Sequence, residues 1–413
     1  MRKCQKRAAA RDAALYRRTS CECPKTASEM ESFCVLFLQG STGFGGSKVS
    51  LLDTLRALKG TRYQPVVACP EEGWLTRQLQ SCAIPYVLLP FYAWRKWLER
   101  PWVKLSIRRQ WLPALKPWRF SIVHSNEFWW APHAVELAKQ LKISSVAHLR
   151  DGHHTLRKAR QYQLQQLSCV ISVSTELCEE FRDVPELYQK NQVLFNGHEP
   201  KTFAGSQQEA RRRLGLWPEG FVVGNAGRLC DRKNQRLLLR VMARLKYSNR
   251  LPRFSLIFAG DADPSYASLM NRDIQELGLR REVKILGVLD DMGAFFSAID
   301  LFVHCARREG LARVIPEAML AKRAVVATAA QGVKDAIPDS TFGSVVDIDD
   351  ESALENEIHA LYQAPNRRRL MAERAYQRAQ NLFSSEAYRA QLTALYEKLL
   401  ALAKLARQGD LEA

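Results

Sequence analysis

The chain has 413 residues, of which 46% are hydrophobic and 25% are charged, and these values are typical of a folded soluble protein with two domains of ordinary size. Its apolar stretches are all shorter than the roughly 20 residues that a spanning helix needs, so we expect that it does not cross a membrane by itself. The formal net charge of +18 indicates anionic partners: nucleotide phosphates, acidic lipid headgroups or nucleic acid.

Residues 1–30 form a basic leader with eight basic and three acidic side chains and no apolar segment of a secretory signal, which argues against export. We interpret this leader as a disordered arm, or as sequence upstream of a true start at Met30. A transit peptide is the alternative. The ten cysteines are scattered without a disulfide framework, which predicts reduced thiols in a cytosolic compartment.

From residue 33 onward, short apolar runs alternate with amphipathic helical patterns, which predicts βαβ units and parallel sheets. The first series contains FCVLFL, PVVA, YVLL, SIVH, SVAH and CVISV. A polar stretch at residues 199–208 interrupts the rhythm, and the second series contains FVVGNAG, FSLIFAG, VKIL, LFVH and AVVAT. We therefore predict an α/β fold of two Rossmann-like, doubly wound domains, at residues 31–200 and 201–383, facing each other across a cleft. Residues 384–413 are predicted to form a long terminal helix and tail.

A glycine-rich stretch separates the first apolar run from the first helical pattern, with the sequence GSTGFGG at residues 40–46. Glycines let a backbone approach a ligand closely. The spacing is irregular for a dinucleotide-binding fingerprint, and a glycine turn at this place is weak evidence when taken alone.

Residues 92–119 combine five tryptophans with eight basic residues and one acid, Glu99. Tryptophan favours the headgroup level of a bilayer and basic side chains favour anionic lipid, so this segment is predicted to dock the first domain on a membrane. Two alternatives remain open: a core-packing helix with a solvated face, and a surface that binds single-stranded nucleic acid. Nucleic acid is the least favoured partner, because neither half of the chain shows a nucleic-acid-binding module.

Two basic residues open the second domain, because Gly227 and Arg228 directly follow a predicted strand and Lys233 precedes a helix. Two cations placed there can clamp a diphosphate and neutralise the charge of a phosphate leaving group. Two solvated charges on a loop are the plain alternative.

Two glutamates, Glu309 and Glu317, stand eight residues apart in the segment RREGLARVIPEAML. Free backbone N–H groups at a helix start, here those of Gly310 and Leu311, can bind a diphosphate. One carboxylate before the helix can accept hydrogen bonds from sugar hydroxyls, and another within the helix can hold the hydroxyls of a ribose. The alternative is that both acids only offset the helix dipole.

This segment resembles the motif of two glutamates separated by seven residues in glycosyltransferase family 4, with Leu311 and Ala312 in place of the usual aromatic residue and glycine. The stretch from Gly227 to Lys233 is similar to the G-R-x-x-x-x-K-G pattern of that family, with Asn234 in place of its last glycine. VLFNG, FAGDAD and the segment from VKILG to FVHCA also resemble family elements in the expected order. Together these elements cover nearly everything from residue 33 to about residue 406.

The resemblance implies a GT-B fold and a retaining glycosyltransferase that needs no metal or other cofactor. It implies that Arg228 and Lys233 hold the donor diphosphate, that Glu309 contacts the transferred sugar and that Glu317 holds the ribose. It further implies that the glycine-rich loop closes over the donor, and we assign that role to Gly45 and Gly46. Asp261 and Asp263 are interpreted as part of a turn, not as a metal-binding D-x-D motif.

On the acceptor side the chain departs from the family, which often has a cleft histidine in an H-x-H pattern and a T-x-H-D/E segment near the next strand. Asn126 and Arg150 occupy the corresponding positions here, and neither is a plausible general base. Together with Asp151 they remain candidates for binding the acceptor or the sugar. His124 and His148 are interpreted as structural residues.

The sequence thus predicts an enzyme that moves a sugar from a UDP- or GDP-sugar to a glycan or lipid-linked acceptor in cell-surface polysaccharide or lipopolysaccharide biosynthesis. We expect it at the cytoplasmic face of a membrane. The alternatives are a nucleotide-sugar epimerase of the same fold and a non-catalytic basic protein that binds lipid or nucleic acid.

Overall fold

The computed structural model describes residues 32–94, 99–150 and 156–412. These residues form two separate parallel sheets. The strands of the first sheet are β1 (Phe33–Leu38), β2 (Tyr63–Cys69), β3 (Tyr86–Leu88), β4 (Phe120–Ser125), β5 (Ser144–Leu149), β6 (Cys169–Ser172) and β7 (Asn191–Val193). The strands of the second sheet are β8 (Phe221–Ala226), β9 (Phe254–Ala259), β10 (Val283–Ile285), β11 (Leu301–His304), β12 (Ala324–Thr328) and β13 (Ser344–Val346).

Helices cover the sheets and connect the strands. Those that precede β8 are α1 (Gly46–Ala57), α2 (Trp74–Ser81), α3 (Arg100–Ser106), α4 (Leu112–Leu115), α5 (Ala131–Leu141), α6 (Leu156–Gln161), α7 (Thr175–Glu179), α8 (Pro185–Tyr188) and α9 (Gln207–Arg213). Those that follow it are α10 (Gln235–Tyr247), α11 (Pro264–Glu276), α12 (Met292–Ala298), α13 (Val314–Leu320), α14 (Val333–Ala336), α15 (Glu351–Gln363), α16 (Pro365–Phe383) and α17 (Ser385–Glu412).

The strand order is β3-β2-β1-β4-β5-β6-β7 in the first sheet and β10-β9-β8-β11-β12-β13 in the second. In each sheet the order reverses beside the strand that comes first in sequence, and such a switch point opens a crevice at the carboxyl ends of the strands. The predicted class, two doubly wound parallel-sheet domains with a long terminal helix, is confirmed. All eleven apolar runs form strands, whereas β7 and β13, with three residues each, were not predicted from the sequence.

The polypeptide passes between the two sheets at two places that touch each other. The backbone N–H of His198, on the outward pass, donates to the carbonyl of Phe383 at 2.8 Å, and the N–H of Ser385, on the return pass, donates to the carbonyl of His198 at 3.1 Å. After this crossing, α17 packs back on the first domain, where the hydroxyls of Tyr388 and Thr54 are 2.9 Å apart. We call residues 198 and 383–385 the hinge.

Within the tryptophan-rich segment, residues 100–115 form one continuous helical stretch, in which a π-helical part, Ile107–Trp111, joins α3 to α4. Two of its tryptophans are part of the core, because Trp94 and Trp111 are 3% and 0% exposed, so neither can contact a membrane. Both can be buried at little cost because their indole N–H groups donate to the backbone carbonyls of residues 161 and 90. Trp97 lies outside the described residues.

The rest of this segment keeps a basic outer face. Trp102 is 63% exposed and Leu105, one turn later, is 36% exposed. Around them stand six exposed cations: Arg100, Lys104, Arg108, Arg109, Lys116 and Arg119. Arg95 and Lys96 lie outside the described residues. We call the exposed part of residues 100–119 the basic face. None of the helices in the described part of the chain is both long and apolar enough to cross a membrane.

Candidate functional site

The loop after β8 brings Lys233 back over the end of its own strand. A Cβ on Gly227 would lie 3.6 Å from Lys233 Cε, and the φ of Gly227 is +139°, a value that L side chains rarely adopt. Asn234 adopts φ 54° and ψ 36°, a left-handed conformation that explains why glycine is common there and why asparagine can replace it. Arg228 is exposed, and its side chain makes no hydrogen bond or ion pair with the described residues.

The turn after β9 lies against this loop. A Cβ on Gly260 would come within 2.2 Å of the carbonyl oxygen of Gly227, so the two backbones are in direct contact. The Asp263 side chain caps α11 by accepting from the N–H groups of Ser265 and Tyr266. The structure thus gives Asp263 a capping role at the start of α11, and the interpretation of Asp261 and Asp263 as a turn without a metal stays a prediction.

Glu309 lies in the loop between β11 and α13, where its carboxylate forms a close ion pair with Lys233. Arg232 Nη1 is 3.6 Å from one carboxylate oxygen and His304 Nε2 is 3.7 Å from the other. Burial raises the pKa of Glu309, but the neighbouring groups, Lys233 first and Arg232 and His304 with it, together outweigh this effect, and the net pKa lies below its usual range. Burial, aided by Lys233, lowers the pKa of His304 to about 3. At neutral pH the site therefore contains an ionised Glu309 beside a neutral histidine.

The backbone after Glu309 makes a tight turn against the loop that follows β12. Gly332 has φ +79°, and a Cβ there would meet the carbonyl oxygen of Gly310 at 2.2 Å, so this contact requires glycine. Within the described part of the chain, the N–H groups of Gly310 and Leu311 donate no hydrogen bond. They are available to an anion at the carboxyl edge of the second sheet.

Glu317 lies in the first turn of α13, and its contacts point away from Lys233, toward the hinge and the first domain. Its Oε1 accepts from Arg313 Nη2 at 3.0 Å and lies 3.5 Å from Nδ1 of the buried His198. Burial opposes ionisation, but the contacts with His198 and Arg313 outweigh it and lower the pKa of Glu317 to about 2. Oε2 makes no hydrogen bond with the described residues.

Gly45 and Gly46 begin α1 at the carboxyl end of β1, with Gly45 as the N-cap residue. Neither has a left-handed backbone, and a Cβ on either would meet nothing closer than 3.9 Å. These two glycines therefore leave open space and do not relieve backbone strain. The atom 3.9 Å from the Cβ position of Gly46 is Cδ of Arg313, so the glycine-rich loop faces the loop before α13.

Asn126 and Arg150 lie at the carboxyl edge of the first sheet, but they bind each other. The amide nitrogen of Asn126 donates to Gln39 and to the carbonyl of Ser47, and its amide oxygen accepts from Arg150 at 2.7 Å. Arg150 also donates to Asn196 at 2.6 Å. Because their polar atoms are largely occupied inside the protein, the structure gives these two residues a bracing role and does not support direct acceptor binding. Asp151 lies outside the described residues.

His124 and His148 are buried and hydrogen bonded to each other at 2.8 Å, and His124 also contacts the hydroxyl of Tyr396 on α17 at 2.6 Å. Burial, aided by the charge of Arg150, lowers the pKa of His124 to about 3. These neutral, paired rings anchor the terminal helix to the first sheet. The interpretation of both histidines as structural agrees with the structure.

Three site residues were not singled out by the sequence analysis: Arg313, His198 and His304. Arg313 and His304 flank Glu309 in sequence, and their closeness to the motif is the one signal that could have identified them. His198 follows the predicted N-G turn, but nothing in its neighbourhood points to a contact with Glu317. The described residues contain no group of three or more His, Cys, Asp or Glu side chains placed to hold a metal ion.

Comparison with known proteins gives two family matches that lie side by side along the chain. The family described as Glycosyltransferase Family 4 matches residues 44–202, and the family described as Glycosyl transferases group 1 matches residues 206–378. The boundary between the two matches falls at the hinge-proximal stretch that separates the two sheets.

Among similar proteins, the lipopolysaccharide core biosynthesis glycosyltransferase LpsE of Rhizobium meliloti is 26% identical over 276 residues, which are 66% of this chain and 74% of that protein. EpsD of Bacillus subtilis, named as a glycosyltransferase, is 29% identical over 161 residues; the match spans 38% of this chain and less than half, 41%, of EpsD. The crystal structure of Anabaena HepE in complex with UDP superimposes with a TM-score of 0.77 at 23% identity, covering 89% of this chain and all of that one. The shared fold and the two adjoining family matches show that this chain belongs to the GT-B glycosyltransferases of family 4.

Proposed function

We propose that this enzyme transfers a sugar from a nucleoside diphosphate sugar to an acceptor hydroxyl with retention of the anomeric configuration. One observation carries the proposal. The Lys233–Glu309 pair lies beside the unused N–H groups of Gly310 and Leu311 at the carboxyl edge of the second sheet. Cation, carboxylate and free N–H groups are what a diphosphate joined to a sugar requires. HepE, which shares the fold, binds UDP, and this supports the donor class.

Within this site, the donor diphosphate contacts Lys233, the exposed Arg228 and the two free N–H groups. Glu309 is held close to Lys233, so its carboxylate reaches the sugar that is attached to the bound phosphates. Glu317 offers its unoccupied Oε2 to the ribose hydroxyls, while Arg313 and His198 fix Oε1. An ionised carboxylate accepts such hydrogen bonds strongly.

In the reaction, the bond between the anomeric carbon and the phosphate oxygen breaks, and the acceptor oxygen forms a new bond to that carbon on the same face. The acceptor proton passes to the leaving phosphate oxygen. Negative charge develops on the diphosphate, and Lys233, Arg228 and the N–H groups of Gly310 and Leu311 stabilise it. We propose that these groups are sufficient and that no metal ion takes part.

We further propose a lipid-linked glycan as the acceptor, at the cytoplasmic face of a membrane. The relative named for lipopolysaccharide core biosynthesis supports this acceptor class. The basic face supports the location, because it combines the exposed Trp102 and Leu105 with six exposed cations. At about 1 kcal/mol for each basic residue near an anionic surface, half of these cations suffice for reversible binding.

The donor is tested by incubating the purified chain with UDP- and GDP-sugars and an extract of lipid-linked glycans, and by measuring the nucleoside diphosphate released. Nuclear magnetic resonance of the product then gives its anomeric configuration. We expect release that depends on one donor and on the acceptor, with a product of the donor's configuration. Inversion would refute the mechanism, and the absence of release with every donor would refute the donor class.

Membrane docking is tested by sedimentation with vesicles of rising anionic lipid content. Changing Trp102 and Leu105 to Ser, or Arg108 and Arg109 to Gln, should each reduce binding, and salt should weaken the binding of the wild-type protein. The matched control changes Arg280 and Arg281, two exposed cations of the second domain, to Gln. Equal sedimentation of all four proteins would contradict the docking role of the basic face.

A further inference from the structure

Arg313 joins the two domains across the cleft. Its Nη2 donates to Asp53 Oδ2 at 2.7 Å and to Glu317 Oε1 at 3.0 Å, and its Nη1 donates to Ser50 Oγ at 2.8 Å. The Arg313 side chain is 14% exposed and that of Asp53 is 4% exposed. A guanidinium has a planar fork of donors, and here the fork bridges two carboxylates that belong to different domains.

The two ends of this bridge lie beside the two halves of the donor site. Ser50 and Asp53 stand on α1, one and two turns after Gly45 and Gly46. Glu317 stands on α13, directly after the loop that contains Glu309. A helix moves as a rigid unit over this length, so a shift of α1 relative to Arg313 also moves the glycine-rich loop relative to the second domain.

Glu317 also touches the hinge, because the His198 side chain reaches its Oε1 while the His198 backbone bonds Phe383 and Ser385. The same carboxylate oxygen is thus contacted from the hinge and by Arg313, the residue that reaches across the cleft to Asp53. When the cleft opens, Asp53 moves away from Arg313, and Arg313 is left with Glu317 as its carboxylate partner.

The cluster holds two buried carboxylates that share the guanidinium of Arg313, with the half-exposed Arg56 3.4 Å from Asp53, and burial lowers the pKa of His198, leaving that ring neutral. Additional hydrogen-bond donors stabilise such a cluster, because each buried carboxylate oxygen requires a partner. The ribose hydroxyls of a bound nucleotide would supply these donors at Glu317 Oε2. Nucleotide binding therefore favours the closed arrangement over the open one.

We propose that Arg313 is a positioning residue that couples ribose binding at Glu317 to closure of the first domain over the donor. This inference rests on the ribose site of the proposed function. The nucleotide contacts Glu317, and Arg313 links that carboxylate to Asp53. Because Asp53 stands on α1, closure of this link moves α1 and places the glycine-rich loop on the sugar. Without the bridge, the nucleotide binds the second domain and the first domain does not follow.

The experiment is hydrogen–deuterium exchange of the full chain with and without UDP, and separately GDP, as the probe. The exchange rate is followed in two peptides: residues 310–320 cover the nucleotide site, and residues 46–57 cover α1. In the wild-type protein we expect the nucleotide to slow exchange in both. If the nucleotide site and α1 are coupled as strongly as linked sites usually are, nucleotide binding should slow exchange at residues 46–57 by about fivefold or more.

Asp53→Asn removes the charge across the cleft and leaves the Arg313–Glu317 contact in place. Arg313→Lys keeps the charge but cannot bridge two carboxylates. In both variants the nucleotide should still protect residues 310–320 and should protect residues 46–57 by less than about twofold. Arg56→Gln is the matched control, since Arg56 is a half-exposed second partner of Asp53 at 3.4 Å, and it should behave as the wild type does.

The outcomes separate this inference from the proposed function. If neither nucleotide protects residues 310–320 in the wild-type protein, the donor site itself is wrong. If a nucleotide protects both peptides in Asp53→Asn as strongly as in the wild type, the donor site stands and the bridge does not couple it to closure. Thermal unfolding of each variant checks that the fold persists, because a purely structural ion pair would change the unfolding temperature and leave the response to the nucleotide intact.

Discussion

The Glu309→Gln substitution gives the sharpest test of the donor site, because it removes one charge and keeps the shape of the side chain. Glu309 forms an ion pair with Lys233 and lies within 4 Å of His304 and Arg232. In the proposed complex Lys233 pairs with the diphosphate in place of Glu309, and the Glu309 carboxylate accepts hydrogen bonds from the sugar hydroxyls. The substitution therefore has opposite consequences for nucleotide binding and for turnover.

A hydrogen bond to a charged group contributes about 1.5–3 kcal/mol, and each 1.4 kcal/mol corresponds to a factor of about ten in rate. If Glu309 contacts the reacting sugar, Glu309→Gln should lower kcat by about 10- to 150-fold. The affinity for UDP should stay equal or rise, because the carboxylate no longer competes with the diphosphate for Lys233. Calorimetry with UDP and steady-state kinetics with the full donor measure the two effects separately.

Glu219→Gln is the control, since Glu219 is an exposed carboxylate of the second domain, and it should leave both quantities unchanged. Weaker UDP binding in Glu309→Gln with an unchanged kcat would show that Glu309 helps to hold the nucleotide and has no role at the sugar. An unchanged kcat with unchanged affinity would remove Glu309 from the site.

Three other predictions concern the donor contacts, the metal requirement and a buried histidine of the first domain. Lys233→Ala and Glu317→Ala should each weaken UDP binding in calorimetry by about 1.5–3 kcal/mol, and full affinity in either variant would refute its assignment to the phosphates or the ribose. Transfer activity should survive a chelator; loss of activity that magnesium or manganese restores would show that a metal is needed. His133 is buried without a hydrogen-bond partner among the described residues, and burial lowers its pKa to about 3. Its contribution to stability is complete above about pH 6.5 and is lost as the pH falls toward about 3, so at pH 5 the wild type should lose about 2 kcal/mol that His133→Phe retains. Urea unfolding of both proteins at pH 8 and pH 5 measures this difference, and an equal loss in both would contradict it.

Most of the fold could be predicted from the sequence because parallel strands that are covered on both faces are continuous apolar runs. β5, β8 and β9 are buried along their whole length, and their runs are unmistakable. β7 and β13 are edge strands of three residues that begin with polar side chains, NQV and SVV, whereas β3 and β10, edge strands of the same length, lie in the apolar runs YVLL and VKIL. The apolar stripe of α17 predicts that the helix packs, but only the structure shows that it packs on the first domain.

In the candidate site, too, some residues are close together in the sequence and others come from distant parts of it. The motifs with Arg228 and Lys233, and with Glu309 and Glu317, are contiguous in sequence, so their residue types and spacing could be interpreted. The bridge from Arg313 to Asp53 joins residues 260 positions apart, and no spacing rule reaches that far. Asn126 and Arg150 were candidates for the acceptor or the sugar because they occupy positions of two family motifs, yet their polar atoms bind each other.

The tryptophan-rich segment shows that composition alone does not tell which of its residues are buried and which are exposed. Burial of a tryptophan here does not move its charged neighbours inward, because a helix places residues a few positions apart on different faces. Trp111 is therefore fully buried while Arg108 and Arg109, three and two residues earlier, remain exposed. The membrane proposal now depends on Trp102, Leu105 and the exposed cations.

The distribution of charge distinguishes the donor site from the rest of the surface. Lys233 is paired with Glu309, and Arg313 contacts both Asp53 and Glu317, whereas Arg228 is exposed and makes no ion pair with the described residues. The donor site therefore offers a diphosphate one cation without an acidic partner and one cation that an internal pair can release. The basic face has six exposed cations and one acid, Glu99, in its neighbourhood. Binding of an anionic surface through the basic face should therefore weaken more with salt than nucleotide binding does, because exposed charges are screened more than buried ones.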